Sequence, residues 1–209
     1  MSQKVHPKLF RIGITESWDS RWFDLKKYKE KIEDDFKIRK LIDKKFEKGV
    51  VEKVIIERLA DKIRIIIRSP KPGLLIGKGG KEIEALTKKI SILVSVKQIK
   101  IDIEDIKDPS LSASILSQQI ASDFERRVPY RKAVKRLMKR VVEKKKVEGI
   151  RIIVKGRLNG SEIARKETFK QGKLPLQTLR ADIDYGEALA MCSYGIIGIK
   201  VWLYKGEKI

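Results

Sequence analysis

One cysteine, Cys192, and one histidine, His6, in 209 residues set the first limits on this chain. A single thiol excludes an internal disulfide and a thiolate metal cluster. A single imidazole leaves no material for a histidine zinc site or a Ser-His-Asp triad. Cys192 sits among small and apolar residues, the setting of a packed thiol rather than of a nucleophile, which needs a base beside it. No apolar run reaches about 18 residues and no leader-like apolar core is present, so a soluble, intracellular protein is expected. Acid is scarce as well: 28 Asp and Glu stand against 49 Lys and Arg, a formal charge of +21. That excess destabilises a compact chain by self-repulsion unless a polyanion neutralises it. Nucleic acid is the leading partner and an anionic membrane surface the rival. With 42% hydrophobic residues, the chain has enough apolar material to fold around a core, as one large or two medium domains.

The stretch Ile76-Gly77-Lys78-Gly79-Gly80 carries the most local information. Gly77 and Gly80 form G-x-x-G, preceded by the short apolar turn Pro72–Ile76 and followed by an amphipathic helix from Lys81 to Ser95. Glycines let a backbone approach a ligand closely, and the free N–H groups opening the helix, with Lys78 and Lys81 beside them, favour a phosphate. A Walker-type loop fails because counting from Gly73 reaches Lys78 where a glycine is required. A dinucleotide fingerprint from Gly77 fails because Glu82 stands in place of its third glycine. The remaining alternative is a tight turn between two helices with no ligand.

Residues 1–32 read as an arm in which Lys4, Lys8, Arg11, Arg21, Lys26, Lys27 and Lys29 interleave with Trp18, Trp22 and Phe23. Basic and aromatic residues together suit RNA, although the rings can equally pack on the protein itself. From Glu33 a helix is expected, with Glu33, Asp34 and Asp35 in its first turn and Ile38, Leu41, Ile42 and Phe46 on one face, stopped by Gly49. Val50–Arg58 reads as a strand. A second strand alternates Ile63, Ile65 and Ile67 with Lys62, Arg64 and Arg68, giving a basic outer face, and Asp61 lies in the turn between them. Ile83, Leu86, Ile90, Leu93 and Val94 mark the helix after the glycine loop, and Ile99, Ile101 and Ile103 a third strand. The succession helix, strand, strand, short helix, GKGG, helix, strand over residues 33–106 resembles the second, prokaryotic type of K-homology (KH) domain. That family clamps about three or four nucleotides of a single strand against its loop.

Beyond a junction near residue 106, Asp108-Pro109 reads as a helix start, with Leu111, Ile115, Ile120 and Phe124 on its buried face, and Pro129 opens a second helix. Residues 126–146 hold eleven Lys and Arg and the single acid Glu143, which is +10 of the total +21. Basic pairs at Arg131-Lys132, Lys135-Arg136 and Lys139-Arg140 alternate with apolar pairs at Ala133-Val134, Leu137-Met138 and Val141-Val142. The two sets therefore occupy opposite halves of the helix. Solvated faces ordinarily mix signs, so a one-sign face points to a polyanion. Calmodulin-type or membrane-surface binding is the runner-up for this helix taken alone. Four strands follow, at 150–156, 163–170, 178–185 and 196–204, with Asn159-Gly160 as a hairpin turn. The expected architecture is α+β, with two helices on a four-stranded sheet over 107–209. Asp182 and Asp184 share one face of a strand at a metal-ligand spacing, but Arg180 and neighbouring bases offer ordinary charge pairing, so neither a metal nor a cofactor is expected. Repeats and low-complexity linkers are absent from the sequence.

Several independent blocks, in order along the whole chain, resemble the family of bacterial small-subunit ribosomal protein three. They are Gln3-Lys4-Val5-His6-Pro7, residues 71–78, Glu125-Arg126-Arg127-Val128, Gly156-Arg157-Leu158, Glu162-Ile163-Ala164-Arg165, residues 179–185 and Lys200-Val201-Trp202. The resemblance implies a protein of the small-subunit head, cytoplasmic or organellar, that contacts rRNA. Its protein neighbours would be ten and fourteen, with four and five around the channel by which mRNA enters. It implies that the basic helix faces that channel and supports mRNA unwinding, through Arg131, Lys132 and Lys135, with Arg136, Lys139 and Arg140 continuing the face. The positions expected against rRNA are Lys4, His6, Arg11, Arg126, Arg127, Arg157, Arg165 and Arg180. Departures from the family pattern include Lys132 for arginine, which keeps charge but loses the planar fork, and Gly79 for lysine, which removes one loop charge. A non-enzymatic, structural RNA-binding role is expected. Two rivals are a free-standing KH regulator and a nucleic-acid-processing protein that cleaves at abasic sites through a lysine Schiff base, an activity associated with some eukaryotic relatives.

Overall fold

The computed structural model describes residues 5–59, 62–94, 98–144 and 146–208. Lys4 and Asp61 lie outside the described residues. In chain order the elements are α1 (Pro7–Phe10), β1 (Ser20–Arg21), α2 (Tyr28–Lys45), β2 (Lys53–Leu59), β3 (Lys62–Ser69), α3 (Pro72–Ile76), α4 (Lys81–Leu93) and β4 (Gln98–Asp105). Then come α5 (Ala113–Glu125), α6 (Tyr130–Glu143), β5 (Gly149–Gly156), β6 (Arg165–Gly172), β7 (Ala181–Cys192) and β8 (Gly195–Glu207). The fold is α+β, and the chain divides into two compact units: Trp18–Lys107, and Met1–Ser17 together with Asp108–Ile209. The stretch expected as a separate arm is thus shared between them.

In the unit Trp18–Lys107 the sheet order is β1-β2-β3-β4, with β2 and β3 antiparallel and β4 returning parallel to β3. Ile63, Ile65 and Ile67 of β3 face a core shared with Val54 and Ile56 of β2, Ile38 and Ile42 of α2, Leu75 of α3, and Leu86 and Ile90 of α4. The two-residue strand β1, which no sequence pattern announces, pairs parallel to β2. Helix α2 begins at Tyr28 rather than Glu33. Asp24 shapes the turn before it by accepting the N–H groups of Lys26 and Lys27 and an ion pair from Lys31 at 2.6 Å. The Lys31 hydrogen bond, ahead of those backbone bonds, pulls the Asp24 carboxyl down to about 2. Asp35 does not serve the helix dipole as expected. It is buried, and takes Arg58 at 2.6 Å on one oxygen and the Trp22 indole N–H at 2.9 Å on the other.

In the other unit the sheet order is β6-β5-β8-β7, antiparallel throughout, with α5 and α6 on one face. Strands β7 and β8 run several residues beyond expectation and meet at a tight turn through Ser193-Tyr194, because the run Ala188–Met191 carries no strand signature of its own. The α-helix expected from Asp108 starts at Ala113. Pro109–Leu111 forms only a 3-10 turn, and the Ser112 hydroxyl caps α5 by accepting the Ile115 N–H. Asp184 of β7 adds a second acceptor at the start of α5: its carboxylate accepts the Ala113 N–H at 2.8 Å and pairs with Lys8 and Lys205. Asp182 pairs with Lys208. Both aspartates therefore have basic partners, and no group of three or more metal-ligating side chains occurs among the described residues.

The opposite face of this sheet is also covered. Ile153, Ile183, Tyr185, Trp202 and Tyr204 form an apolar patch. The His6 ring stands edge-on to Tyr185 at 4.7 Å, and Pro7 is buried. Arg11 locks this N-terminal segment. It is 1% exposed and donates to the carbonyls of Pro7 (3.1 Å), Leu176 (3.0 Å) and Thr178 (2.8 Å). Arg11 is expected against rRNA, but here its guanidinium is spent on main-chain oxygens inside the fold.

Arg11→Ala leaves three carbonyls without their donor and opens a gap. The unit should lose about 2–4 kcal/mol. Amide exchange of the β7 and β8 core, measured by mass spectrometry, should accelerate about 30-fold or more; unchanged exchange would show the lock to be dispensable.

Candidate nucleic-acid interface

Helix α6 sorts its residues by pairs. Ala133, Val134, Leu137, Met138 and Val141 are buried against the sheet, while Arg131, Lys132, Lys135, Arg136, Lys139 and Arg140 are exposed. Val142, expected in the buried set, is 37% exposed at the boundary. Two of the six cations have acidic partners. Arg131 reaches Glu167 of β6 at 2.7 Å, and Arg136 reaches Asp123 of α5 at 2.6 Å. Lys132, Lys135, Lys139 and Arg140 have no acidic partner among the described residues, so the uncompensated charge runs from the first turn of the helix to its last.

Glu167 was invisible as a site residue because its distance of 36 positions from Arg131 is bridged only by the β5–β6 pairing. It accepts hydrogen bonds from both Arg131 and the Tyr130 hydroxyl, at 2.7 and 3.0 Å. The Arg131 bond, and then the weaker Tyr130 bond against the opposing effect of burial, holds its carboxyl below the usual glutamate range. Strand β6 also contributes Lys170, which no helical periodicity could have linked to α6. With Lys135, Lys139 and one acid, Glu143, it borders an open groove of about 600 Å³ that Met138, Val142 and Phe169 also line. Cations around an apolar floor are the arrangement in which phosphates are held at the rim while bases lie against the floor.

The glycine loop presents Lys78, Gly79 and Lys81 to solvent, with Gly77 and Gly80 half-buried. Three residues take φ near +70°: Gly77 at 71°, Gly79 at 64° and Gly80 at 79°. A Cβ on Gly77 would fall 2.5 Å from Glu82 Cγ, whereas Gly79 has open space around it. Helix α4 starts without a side-chain cap, so its opening N–H groups are available to an outside acceptor. Lys45 holds Glu82 at 2.7 Å, drawing that carboxylate to the base of the helix. Lys78 and Lys81 have no acidic partner among the described residues.

The outer face of the KH-like sheet is different from expectation. Arg64 pairs with Asp102 at 2.6 Å, Arg68 with Glu104 at 2.8 Å and Arg21 with Glu57 at 3.1 Å. The parallel register of β3 with β4, which sets Arg68 opposite Glu104, makes this a charge-paired surface and not a free cationic one. Of the expected rRNA contacts, Arg126, Arg127, Arg165 and Arg180 are exposed. Arg157 is half-buried and donates to the Ser161 and Tyr194 carbonyls. His6 is committed to Tyr185, and burial, ahead of the nearby charges, lowers its pKa. Trp22 packs in the fold, whereas Trp18 is exposed.

A family model described as "KH domain" matches residues 37–111, and one described as "Ribosomal protein S3, C-terminal domain" matches residues 120–203. Along its whole length the chain is similar to the small ribosomal subunit protein uS3 of Persephonella marina, with 45% identity covering 100% of this chain and 92% of that one. The proteins of the same name from Carboxydothermus hydrogenoformans and Caldicellulosiruptor bescii are each 47% identical, covering 99% of this chain and 93% of theirs.

Removing the two carboxylates that occupy α6 should free its arginines. The double variant Glu167→Gln/Asp123→Asn should bind polyuridylate more tightly, with a salt dependence steeper by about 1–2 in log-log slope. An unchanged slope would mean that Arg131 and Arg136 do not reach phosphate. The Glu167–Arg131 pair itself should persist through neutral pH and be lost as pH falls through the depressed Glu167 pKa.

Proposed function

The chain belongs to the family of small ribosomal subunit protein uS3, and from that premise we propose that it is a structural constituent of the small ribosomal subunit that holds RNA by electrostatic complementarity. It binds small-subunit rRNA in the head, and the outward half of α6 lines the channel through which mRNA enters. Arg131, Lys132, Lys135, Arg136, Lys139 and Arg140 track phosphates there as structured message is pulled apart. The glycine loop, through its open backbone and Lys78 and Lys81, is a second RNA-holding element. Proteins ten and fourteen are its neighbours in the head, with four and five completing the rim of the channel, and its place is the cytoplasmic ribosome.

The observation that carries this reading is the one-sided helix. Four cations lie on one rigid element with no acidic partner among the described residues, while elsewhere arginines such as Arg58, Arg64 and Arg68 are matched to carboxylates. Phosphate groups supply the missing counter-charge without demanding sequence, which suits a surface past which every message must move. Helix packing contributes rigidity, so the cations hold a fixed spacing instead of collapsing onto the strand.

Replacing Arg131, Lys132 and Lys135 with glutamate should slow translation through stable mRNA hairpins several-fold while leaving unstructured messages close to normal. Equal speed on both templates would remove the unwinding role. For the free protein, neutralising about six phosphates predicts a log-log salt slope near −5 for RNA binding. Loss of the chain from small subunits in high-salt gradients would argue against a structural constituent.

A further inference from the structure

Where α5 ends and α6 begins, a cavity of about 360 Å³ opens against the turns that join β5 to β6 and β7 to β8. Its wall includes Arg127, Tyr130, Arg157, Met191, Cys192 and Tyr194. Two guanidinium groups and two phenol rings thus surround an apolar floor, in a volume within the range of about 300–1,000 Å³ that holds small ligands. The carboxylate in the wall, Glu125, accepts the Met191 N–H at 3.0 Å, which ties it to the backbone. We propose that this cavity receives one unstacked RNA nucleotide, its base against Tyr194 over the Cys192 and Ile197 floor and its phosphate on Arg127 and Arg157. The proposal rests on the RNA-binding reading above and assigns it a pocket distinct from the helix face.

Three features fit a built site. Tyr194 is 60% exposed, yet its ring is held in place: the Arg157 guanidinium lies 5.8 Å from its centroid, and a Cβ at Gly160 would come within 3.1 Å of its edge. Gly160 is therefore the residue that lets the ring lie down on the turn. Arg157 is itself oriented by donating to the carbonyls of Ser161 (2.9 Å) and Tyr194 (3.3 Å), so ring and cation form one rigid platform. Bases unstacked from a single strand are bound on such aromatic and guanidinium planes. Arg127, at φ 62°, is one of two non-glycine residues with positive φ among the described residues. A left-handed arginine costs stability that glycine would not, and such strain persists where a side chain is needed at that point.

Charge complementarity selects the occupant. An opening flanked by two arginines in a chain of formal charge +21 favours an anion, and the rings add recognition of a flat base that an acidic peptide lacks. Base–aromatic stacking is sequence-tolerant, so the pocket would accept any of the bases with modest preference.

Cys192 gives the test a reporter, because it is the only cysteine of the chain. In the full-length protein, saturating single-stranded decaadenylate should slow iodoacetamide alkylation of Cys192 at least fivefold, while an abasic oligomer of equal length should not. Tyr194→Ala should abolish the protection and weaken decaadenylate binding about tenfold. Arg127→Gly should weaken binding about threefold or more without lowering the thermal unfolding midpoint, since it relieves strain. Absent protection, equal protection by the abasic oligomer, or protection that survives Tyr194→Ala would overturn the proposal. Protection by decaglutamate in place of RNA would reassign the pocket to a protein partner and overturn it too. A destabilised Arg127→Gly with unchanged affinity would make that arginine structural. The helix reading fails separately, if Lys132→Glu/Lys135→Glu/Lys139→Glu leaves overall RNA affinity unchanged.

Discussion

Cations repel one another along α6, and the helix survives that repulsion because its other half is anchored. The like-charged neighbours three and four residues apart from Arg131 to Arg140 cost about 1–3 kcal/mol together. Burying Val134, Leu137, Met138 and Val141 against the sheet contributes on the order of 6–12 kcal/mol as an upper figure. Packing therefore wins by a margin that lets the exposed face be chosen for binding rather than for stability. The same margin explains why Glu167 and Asp123 can engage two of the six arginines and lysines without being required to hold the helix in place. Exposed ion pairs of this kind contribute at most about 1 kcal/mol each, so phosphate can displace them.

A surplus of basic residues is not a surplus of binding residues, and the fold sorts the two. Arg58 is consumed by Asp35 inside the unit Trp18–Lys107, and Arg39 by the Val54 carbonyl and the Ser20 hydroxyl. Arg11 is consumed by three carbonyls in the other unit. Each of these arginines contributes a planar fork with several donors, which a lysine in the same place would not supply. The cations left without acidic partners on α6 and the loop, among the described residues, are biased toward lysine, which supplies charge without a fixed geometry. Lys132 and Lys135 fit that description.

Much of this was legible in the sequence. The pairwise alternation from Arg131 to Val141 is a local, 3.6-residue pattern, and local patterns survive folding. The β3 alternation and the glycines of the loop were equally readable, since φ near +70° at positions 77, 79 and 80 is available to glycine with little cost. The misreadings share a different origin. Arg11 was expected against rRNA, and Arg64 and Arg68 on a basic outer face, because charge is local information, whereas their partners are set by tertiary register. Glu104 faces Arg68 only because β4 returns parallel to β3, and Leu176 meets Arg11 only because the N-terminal segment crosses the sheet. Glu167 and Lys170 went unnoticed for the same reason. Strand β7 was cut short because Ala188-Leu189-Ala190-Met191 follows no strict alternation, and its pairing with β8 supplies the hydrogen bonds that composition did not foretell.

The two elements proposed to hold RNA solve unlike problems. In the loop, Gly79 gives up a charge, but with φ at 64° a lysine there would sit in a left-handed conformation at a cost of about 1–2 kcal/mol. The backbone then does more of the holding than the side chains, which suits a contact that stays put. On α6 the backbone is sealed within the helix, and side chains must do all the work at a spacing that repeats every turn. A strand of phosphates can advance along such a row while each step exchanges one lysine contact for the next, so that no position binds tightly enough to halt it. A surface that must hold RNA without stopping it is better made of several weak, equivalent charges than of one strong site.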